Sequence, residues 1–222
     1  MTPISPVASS LMEVFQSIEA DSCPSRYNFH LHTHCSDGQL QPEELMEQAV
    51  AVGLEDLAIT DHHSIEGYKV AQHWLAAQPT EQKLPTLWIG AEITALLAQT
   101  DVHILAYDFD ADAPALQTYL QGHRIEEDHI SDARCVIDAI HAAQGLAVLA
   151  HPARYKRSPE TLVAAAADLG IDGLETYYCY KSSDPWRPSP GSTDLMQQLT
   201  ERYRLLRTCG TDTHGVDICQ RR

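Results

Sequence analysis

The segment Tyr27-Asn28-Phe29-His30-Leu31-His32-Thr33-His34-Cys35-Ser36-Asp37-Gly38 brings imidazoles and a carboxylate close together in sequence. On a strand, His30 and His32 project from one face, because side chains alternate with a period of two. Neutral imidazole and carboxylate are natural ligands of divalent transition metals such as zinc, manganese and iron. Further groups follow at Thr60-Asp61-His62-His63, Gly90-Ala91-Glu92, Val102-His103-Ile104, Ala150-His151-Pro152 and Gly210-Thr211-Asp212-Thr213-His214. Each falls where a strand-like run gives out. One such group carries little weight; the full set points to one multi-histidine metal site.

The elements that must position these residues read as alternating helices and strands. A Ser-capped amphipathic helix is expected over residues 9–20, broken by Cys23-Pro24. A strand over 27–32 leads to a helix opened by Gln41-Pro42-Glu43-Glu44, running to Val52 with Gly53 as its C-cap. Strands are expected at 56–60, at Leu87–Gly90 ending in Glu92, at 102–107, at 146–150, at 173–177 and at 205–209. Helices fill the intervals at about 64–77, 113–143, 160–168 and 192–203. The 113–143 region carries an acidic–basic patch, Arg124–Asp128, that reads as an exposed face. About seven strand–helix steps with continuously apolar strands predict a parallel sheet buried on both faces. Its ligands would sit at strand C-terminal ends, where α/β barrels and open α/β sheets both place active sites.

Composition narrows the function. A chain of 222 residues, 44% hydrophobic, fits one domain with a full core. No apolar run is long enough to span a membrane and no signal peptide is evident. Six cysteines without a C-x-x-C pair read as reduced thiols, hence a cytoplasmic location. The net charge of −16 argues against a broad polyanion-binding surface but not against small phosphorylated ligands. No G-x-S-x-G or P-loop is present.

Taken together, the motifs resemble the PHP (polymerase and histidinol phosphatase) superfamily. Its first motif, D-x-H-x-H-T-x-x-S-D-G, is similar to residues 28–38, with Asn28 replacing the usual Asp. The second is Ile59-Thr60-Asp61-His62, the third Ala150-His151-Pro152 and the fourth Thr211-Asp212-Thr213-His214, with Gly90-Ala91-Glu92 and Val102-His103-Ile104-Leu105 between them. The resemblance covers about residues 27–215 and implies a distorted (β/α)7 TIM-like barrel with three metal ions at its C-terminal face. On this reading residues 1–26 are a helical lead-in and 27–222 the PHP domain. Carried over by position, one metal would bind His30, His32, Glu92 and Asp212. A second would share Glu92 and add His103 and His151, and a third would take Asp37, His62 and His214. The nine N and O ligands suit manganese, iron or zinc.

Two departures bear on the site's surroundings: Asn28, and His63 where an Asp is common. The chain also stops soon after His214, leaving little to close the barrel. It further lacks an inserted cap domain that some single-domain relatives carry before the third motif, so their substrates do not transfer directly. Arg154 resembles a basic site residue of phosphate-handling relatives, since a guanidinium suits bidentate phosphate binding, while Lys156 and Arg157 beside it suggest an ordinary loop charge. Asp61 is expected to orient a metal-binding imidazole. His34 and His63 flank the ligands without matching ligand positions, and Cys35 reads as a small packing residue. His73, His123, His129 and His141 read as helix-surface histidines, and the Tyr177–Lys181 run as pocket lining or core.

The expectation is a metal-dependent phosphoesterase acting on a nucleotide or sugar phosphate monoester through water activated at a trinuclear site. The alternatives are an exonuclease-like phosphodiesterase on short oligonucleotides, a non-catalytic metal-binding module, and an amidohydrolase-type enzyme acting on a C–N bond.

Overall fold

The computed structural model describes residues 10–79, 81–122, 131–181 and 183–221. The first nine residues of the lead-in, His123, His129 and the Arg124–Asp128 patch lie outside the described residues.

The chain enters through a short helix, α1 (Leu11–Gln16), started by a capping box between Ser10 and Glu13. It is shorter than the expected 9–20 because the Ser17 hydroxyl turns back to the Val14 carbonyl at 2.8 Å and meets the Tyr27 hydroxyl at 3.2 Å. The order is then β1 (Tyr27–Asn28), α2 (Pro42–Val52), β2 (Asp56–Ile59), α3 (Glu66–Ala76), β3 (Thr86–Leu97) and β4 (Thr100–Tyr107). It continues with α4 (Pro114–Gln117), β5 (Ser131–Asp132), α5 (Ala133–Ala142), β6 (Leu146–Leu149), α6 (Pro159–Asp168), β7 (Gly173–Tyr177), α7 (Pro190–Tyr203) and β8 (Leu206–Cys209). Local chemistry sets the boundaries. Pro42 opens α2, the Gln41 N–H donates to Glu44 Oε2 at 3.0 Å, and Gly53 at φ 85° ends the helix.

Seven strands run in the order β1-β2-β3-β4-β6-β7-β8, with β5 paired to β3 off that path. The two edges meet: Phe29 N–H donates to the Cys209 carbonyl at 3.0 Å, Asp212 N–H to the His30 carbonyl at 2.9 Å and His32 N–H to the Thr213 carbonyl at 3.2 Å. The fold is therefore a nearly closed mixed α/β barrel. Asn28 spans this seam. Its Nδ2 donates to Thr211 Oγ1 and the Ile218 carbonyl, both at 3.0 Å, and its Oδ1 accepts from Thr211 N at 3.0 Å. The position needs a donor and an acceptor together, which an ionised Asp lacks.

Two expectations are corrected. The sheet is not all parallel, because β4 runs antiparallel to both β3 and β6. A two-residue connection, Ala98-Gln99, joins β3 to β4 with both residues in the left-handed region at φ 48° and 60°. That geometry makes a tight hairpin, and Ala-Gln is not the Asn-Gly type of sequence that signals one. Nor is 113–143 one helix. Pro114–Gln117 is a single turn, and α5 starts at Ala133 because Asp132 accepts from Arg134 N at 2.9 Å and caps it there.

Alternation then divides the barrel. Trp88, Leu105, Tyr107, Val148 and Tyr177 face inward, where Phe15 of α1 packs edge-on against Phe29 and Tyr107 and plugs the far end. Ile93, Ala95, Val102 and Ile104 face outward onto α5 and its neighbours, while Leu57 and Ile59 face α2 and α3. Among the described residues no helix is long and apolar enough to cross a membrane.

Candidate metal centre

At the open mouth the inward positions change from apolar to ionisable. Glu92 continues the inward row of β3 and is 1% exposed. His103 lies on the same face of β4, diagonal to Glu92 across the hairpin, since their direct partners are Leu105 and Thr94. Because β4 runs backwards, the mouth receives its first half, so His103 sits near a strand's beginning and not at the expected C-terminal end.

Glu92 is the hub. Its Oε2 lies 3.1 Å from Nε2 of both His30 and His32 and 3.6 Å from His62 Nδ1. Its Oε1 lies 2.7 Å from His103 Nδ1 and 3.3 Å from His151 Nε2. Asp212 Oδ1 lies 3.5, 3.3 and 3.4 Å from His30, His32 and His214. Asp37, half exposed on its loop, reaches His214 Nε2 at 3.3 Å, His62 Nε2 at 3.8 Å and His32 Nδ1 at 3.9 Å. All nine sequence-derived ligand positions thus converge on one mouth. Among the described residues three sets have donor atoms within 4.8 Å of one another: His30–His32–Glu92–Asp212, His32–Asp37–His62–His214 and His62–Glu92–His103. The last differs from the grouping the resemblance implies, with His62 in place of His151.

The donors suit a divalent cation on physical grounds. Both ring nitrogens of His32 and of His151 are buried without a hydrogen-bond partner, a costly state that a ligand bond would relieve. The charges tell the same story. Burial acts to raise the Glu92 carboxyl, but His30, His103 and His62 outweigh it and hold it well below the usual carboxylate range. Asp212 is likewise held low against its burial by His30 and His32. Burial acts to lower His32, but the negative charges of Asp212 and Glu92, 3.3 and 3.1 Å from its Nε2, overcome it and push it up to about 9. His62 is driven by burial down to about 4, with His32 and His103 adding to the effect. Protons on the imidazoles therefore balance the buried carboxylates where cations would otherwise do so.

Three residues at the mouth, His63, His151 and Asp212, have positive φ of 51°, 27° and 54°. Such strain clusters at functional sites, where the chain turns side chains inward as strands end. His63 is buried, its Nε2 accepting from Thr94 N at 3.2 Å and its Nδ1 facing the Tyr119 carbonyl at 3.1 Å. His34 is exposed, as are His73 and His141 on their helices. Cys35 is half-buried and lines the cleft with Ser36, Asp37, His62, His63, Thr94, His103 and Gly122, in a space of about 410 Å³.

Asp61 orients no imidazole. It accepts from Thr33 N, Thr33 Oγ1 and Ser36 Oγ, each at 2.7 Å, and so pins the loop that carries Asp37. The imidazole-orienting carboxylate is instead Glu175, which sequence reasoning passed over. From β7, fully buried, its Oε1 accepts from His30 Nδ1 at 2.9 Å and its Oε2 from the His151 backbone N–H at 2.8 Å. This bond leaves His30 Nε2 facing the centre. The available signal was a lone carboxylate within the strand Gly-Leu-Glu-Thr-Tyr. Glu175→Gln should place an amide N–H against the His151 N–H or lose the His30 bond, lowering metal affinity about 10–100-fold. Competition with a chelator measures this directly, and wild-type affinity in the variant would refute the role.

Arg154 separates from its basic neighbours and reaches the centre, donating from Nη1 to Asp212 Oδ2 at 2.8 Å and to the Tyr178 hydroxyl at 3.2 Å. Tyr178 itself donates to Asp212 Oδ2 at 2.5 Å. Arg221, also unsignalled in the sequence, donates from Nε to the same oxygen at 2.8 Å.

Fold and site together define an α/β barrel with six imidazoles gathered around the carboxylates of Glu92, Asp212 and Asp37 at its mouth. The chain matches the model of the PHP domain over residues 28–111. It is 25% identical over 258 residues to the 5'-3' exoribonuclease Rnm of Salmonella typhimurium, covering 85% of each chain. That span exceeds the 222 residues present here, so the relative carries residues between matched segments that this chain lacks. It is 32% identical over 116 residues to a 3',5'-nucleoside bisphosphate phosphatase of Chromobacterium violaceum, covering 52% of this chain and 38% of that one. In structure it is similar to a Bifidobacterium adolescentis protein assigned as a metal-dependent phosphoesterase, with a TM-score of 0.68, 24% identity, and coverage of 86% of this chain and 89% of that one.

Proposed function

We propose that this protein is a metal-dependent phosphoesterase that hydrolyses a small phosphorylated substrate, a nucleotide or sugar phosphate monoester. The observation that carries this reading is the convergence of buried, unpartnered imidazole nitrogens with guanidinium groups at one mouth. His30, His32, Asp37, His62, Glu92, His103, His151, Asp212 and His214 would hold up to three ions, manganese, iron or zinc. Bound ions supply the Lewis-acid charge on which phosphoryl transfer to water depends. The chain's own residues do the rest. Glu175 and Asp61 fix the geometry of His30 and of the Asp37 loop, and Arg154 takes phosphoryl oxygens in its planar fork. His62, driven down to about 4, stays neutral near pH 7 and acts as a ligand and not as a proton donor. The reduced thiols and the acidic balance fit a cytoplasmic enzyme of small solutes.

A second reading, a phosphodiesterase on short oligonucleotides, is favoured by the likeness to an exoribonuclease along 85% of both chains. The two separate in one assay. Metal-stripped protein reloaded with manganese is given p-nitrophenyl phosphate, AMP, adenosine 3',5'-bisphosphate and short 5'-phosphorylated RNAs. Metal-dependent phosphate release, with kcat/KM higher for monoesters than for RNA, supports the first reading, and mononucleotide release from RNA supports the second. Silence toward every phosphate ester with metal bound refutes both. Arg154→Ala should raise KM for the preferred ester about tenfold; unchanged kinetics would make it a surface charge.

A further inference from the structure

Asp212 Oδ2 accepts from three donors: the Tyr178 hydroxyl at 2.5 Å, Arg154 Nη1 at 2.8 Å and Arg221 Nε at 2.8 Å. Two guanidinium charges thus face one carboxylate, whose other oxygen is already turned toward His30, His32 and His214. Among the described residues neither arginine forms a second salt bridge. Arg221 is 17% exposed, so water screens its charge poorly. Its guanidinium faces Asp212 and the Tyr178 hydroxyl together, on the same side as Arg154. Two guanidiniums that share a single carboxylate leave this flank with an excess of positive charge, which an anion would balance.

The position of Arg221 is also built. His214 N–H donates to the Arg221 carbonyl at 2.8 Å, and Thr213 Oγ1 bonds the Gln220 carbonyl. Gln48 brackets the same loop, donating to the Val216 carbonyl at 2.9 Å and accepting from Ile218 N at 3.1 Å. The arginines occupy the Asp212 flank, whereas the open cleft lies on the Asp37, His62 and His103 flank.

We propose that Arg221 is a substrate-contacting residue, closing with Arg154 a two-guanidinium clamp that grips the phosphoryl group while the leaving group projects into the cleft. This rests on the phosphoesterase reading. Its test titrates inorganic phosphate into manganese-loaded wild type, Arg221→Met and Arg221→Lys by calorimetry, with metal content and the kinetics of p-nitrophenyl phosphate measured alongside. Arg221→Met should bind phosphate about tenfold or more weakly and show a raised KM, with metal content unchanged. Arg221→Lys, which keeps the charge but loses the fork, should fall between, and it decides the matter should the Met variant not fold. Wild-type phosphate affinity in the folded variants overturns the clamp. Metal loss in step with affinity overturns it as well, because Arg221 would then only steady Asp212. If wild type neither binds phosphate nor cleaves phosphate esters, the phosphoesterase reading itself falls; if wild type is active and the variants match it, only the clamp does.

Discussion

Glu92→Gln should lower metal-dependent turnover by about a thousandfold or more, since the one carboxylate that five imidazoles share would lose its charge. The fold should survive. Gln is nearly isosteric, and Glu92 faces imidazoles at the mouth and not the apolar plug below. Bound metal should fall in the same variant, which separates loss of the centre from loss of one catalytic contact. A pH series on metal-free protein gives an independent reading. His32 has a folded value of about 9, above its ordinary value of about 6.5. Its protonation therefore stabilises the metal-free fold fully below about pH 6.5 and ceases to do so as pH rises through about 9. Glu92 is held low, so its own contribution is lost only in acid, outside that window. Denaturant midpoints of metal-free wild type should thus carry a decline between pH 6.5 and 9 that Glu92→Gln flattens. An active, metal-replete Glu92→Gln protein would remove Glu92 from the centre.

Gly210→Ala is the second large effect. A Cβ there would strike His30 Cβ and come within 2.6 Å of His30 N and 2.9 Å of His30 Cα. The obstacle is mostly backbone of a buried segment, so no side chain can swing aside. Overpacking of this kind costs about 1–3 kcal/mol, and any relief moves His30 away from Glu92, Glu175 and Asp212. Both the denaturation midpoint and the metal content should fall. Gly191→Ala is the control, because nothing lies within 4 Å of its added Cβ. Equal, small changes in the two variants would show that the seam tolerates displacement.

Much of this was legible in the sequence because metal ligands are constrained in type and lie beside strand ends. His30, His32, Glu92, His103, His151 and Asp212 could be picked from their local patterns, and an α/β sheet from helices alternating with apolar runs, while the closed barrel came only from the family resemblance. The reversed strand was not legible. β4 is as apolar as the parallel strands of the sheet, and the Ala98-Gln99 turn carries no residue that announces positive φ. Glu175 was hidden because a single acid in a strand resembles a solvent-facing position until its neighbours are known. Arg221 was hidden for a different reason. Its meeting with Asp212 depends on a loop folded by Asn28 and Gln48, residues far away in the chain.

The hairpin and the seam differ in how far along the chain their partners lie. Glu92 and His103 are brought together by a two-residue turn, a contact that closes cheaply and quickly. His30 and Asp212 meet only when the first and last strands join, across nearly the whole chain, and loop-closure entropy makes such contacts late. During synthesis the nascent chain can therefore display half of its ligands for a long time, yet it cannot assemble the set until its final strand and the loop behind it have emerged. Completion of the barrel and completion of the chemistry become a single event.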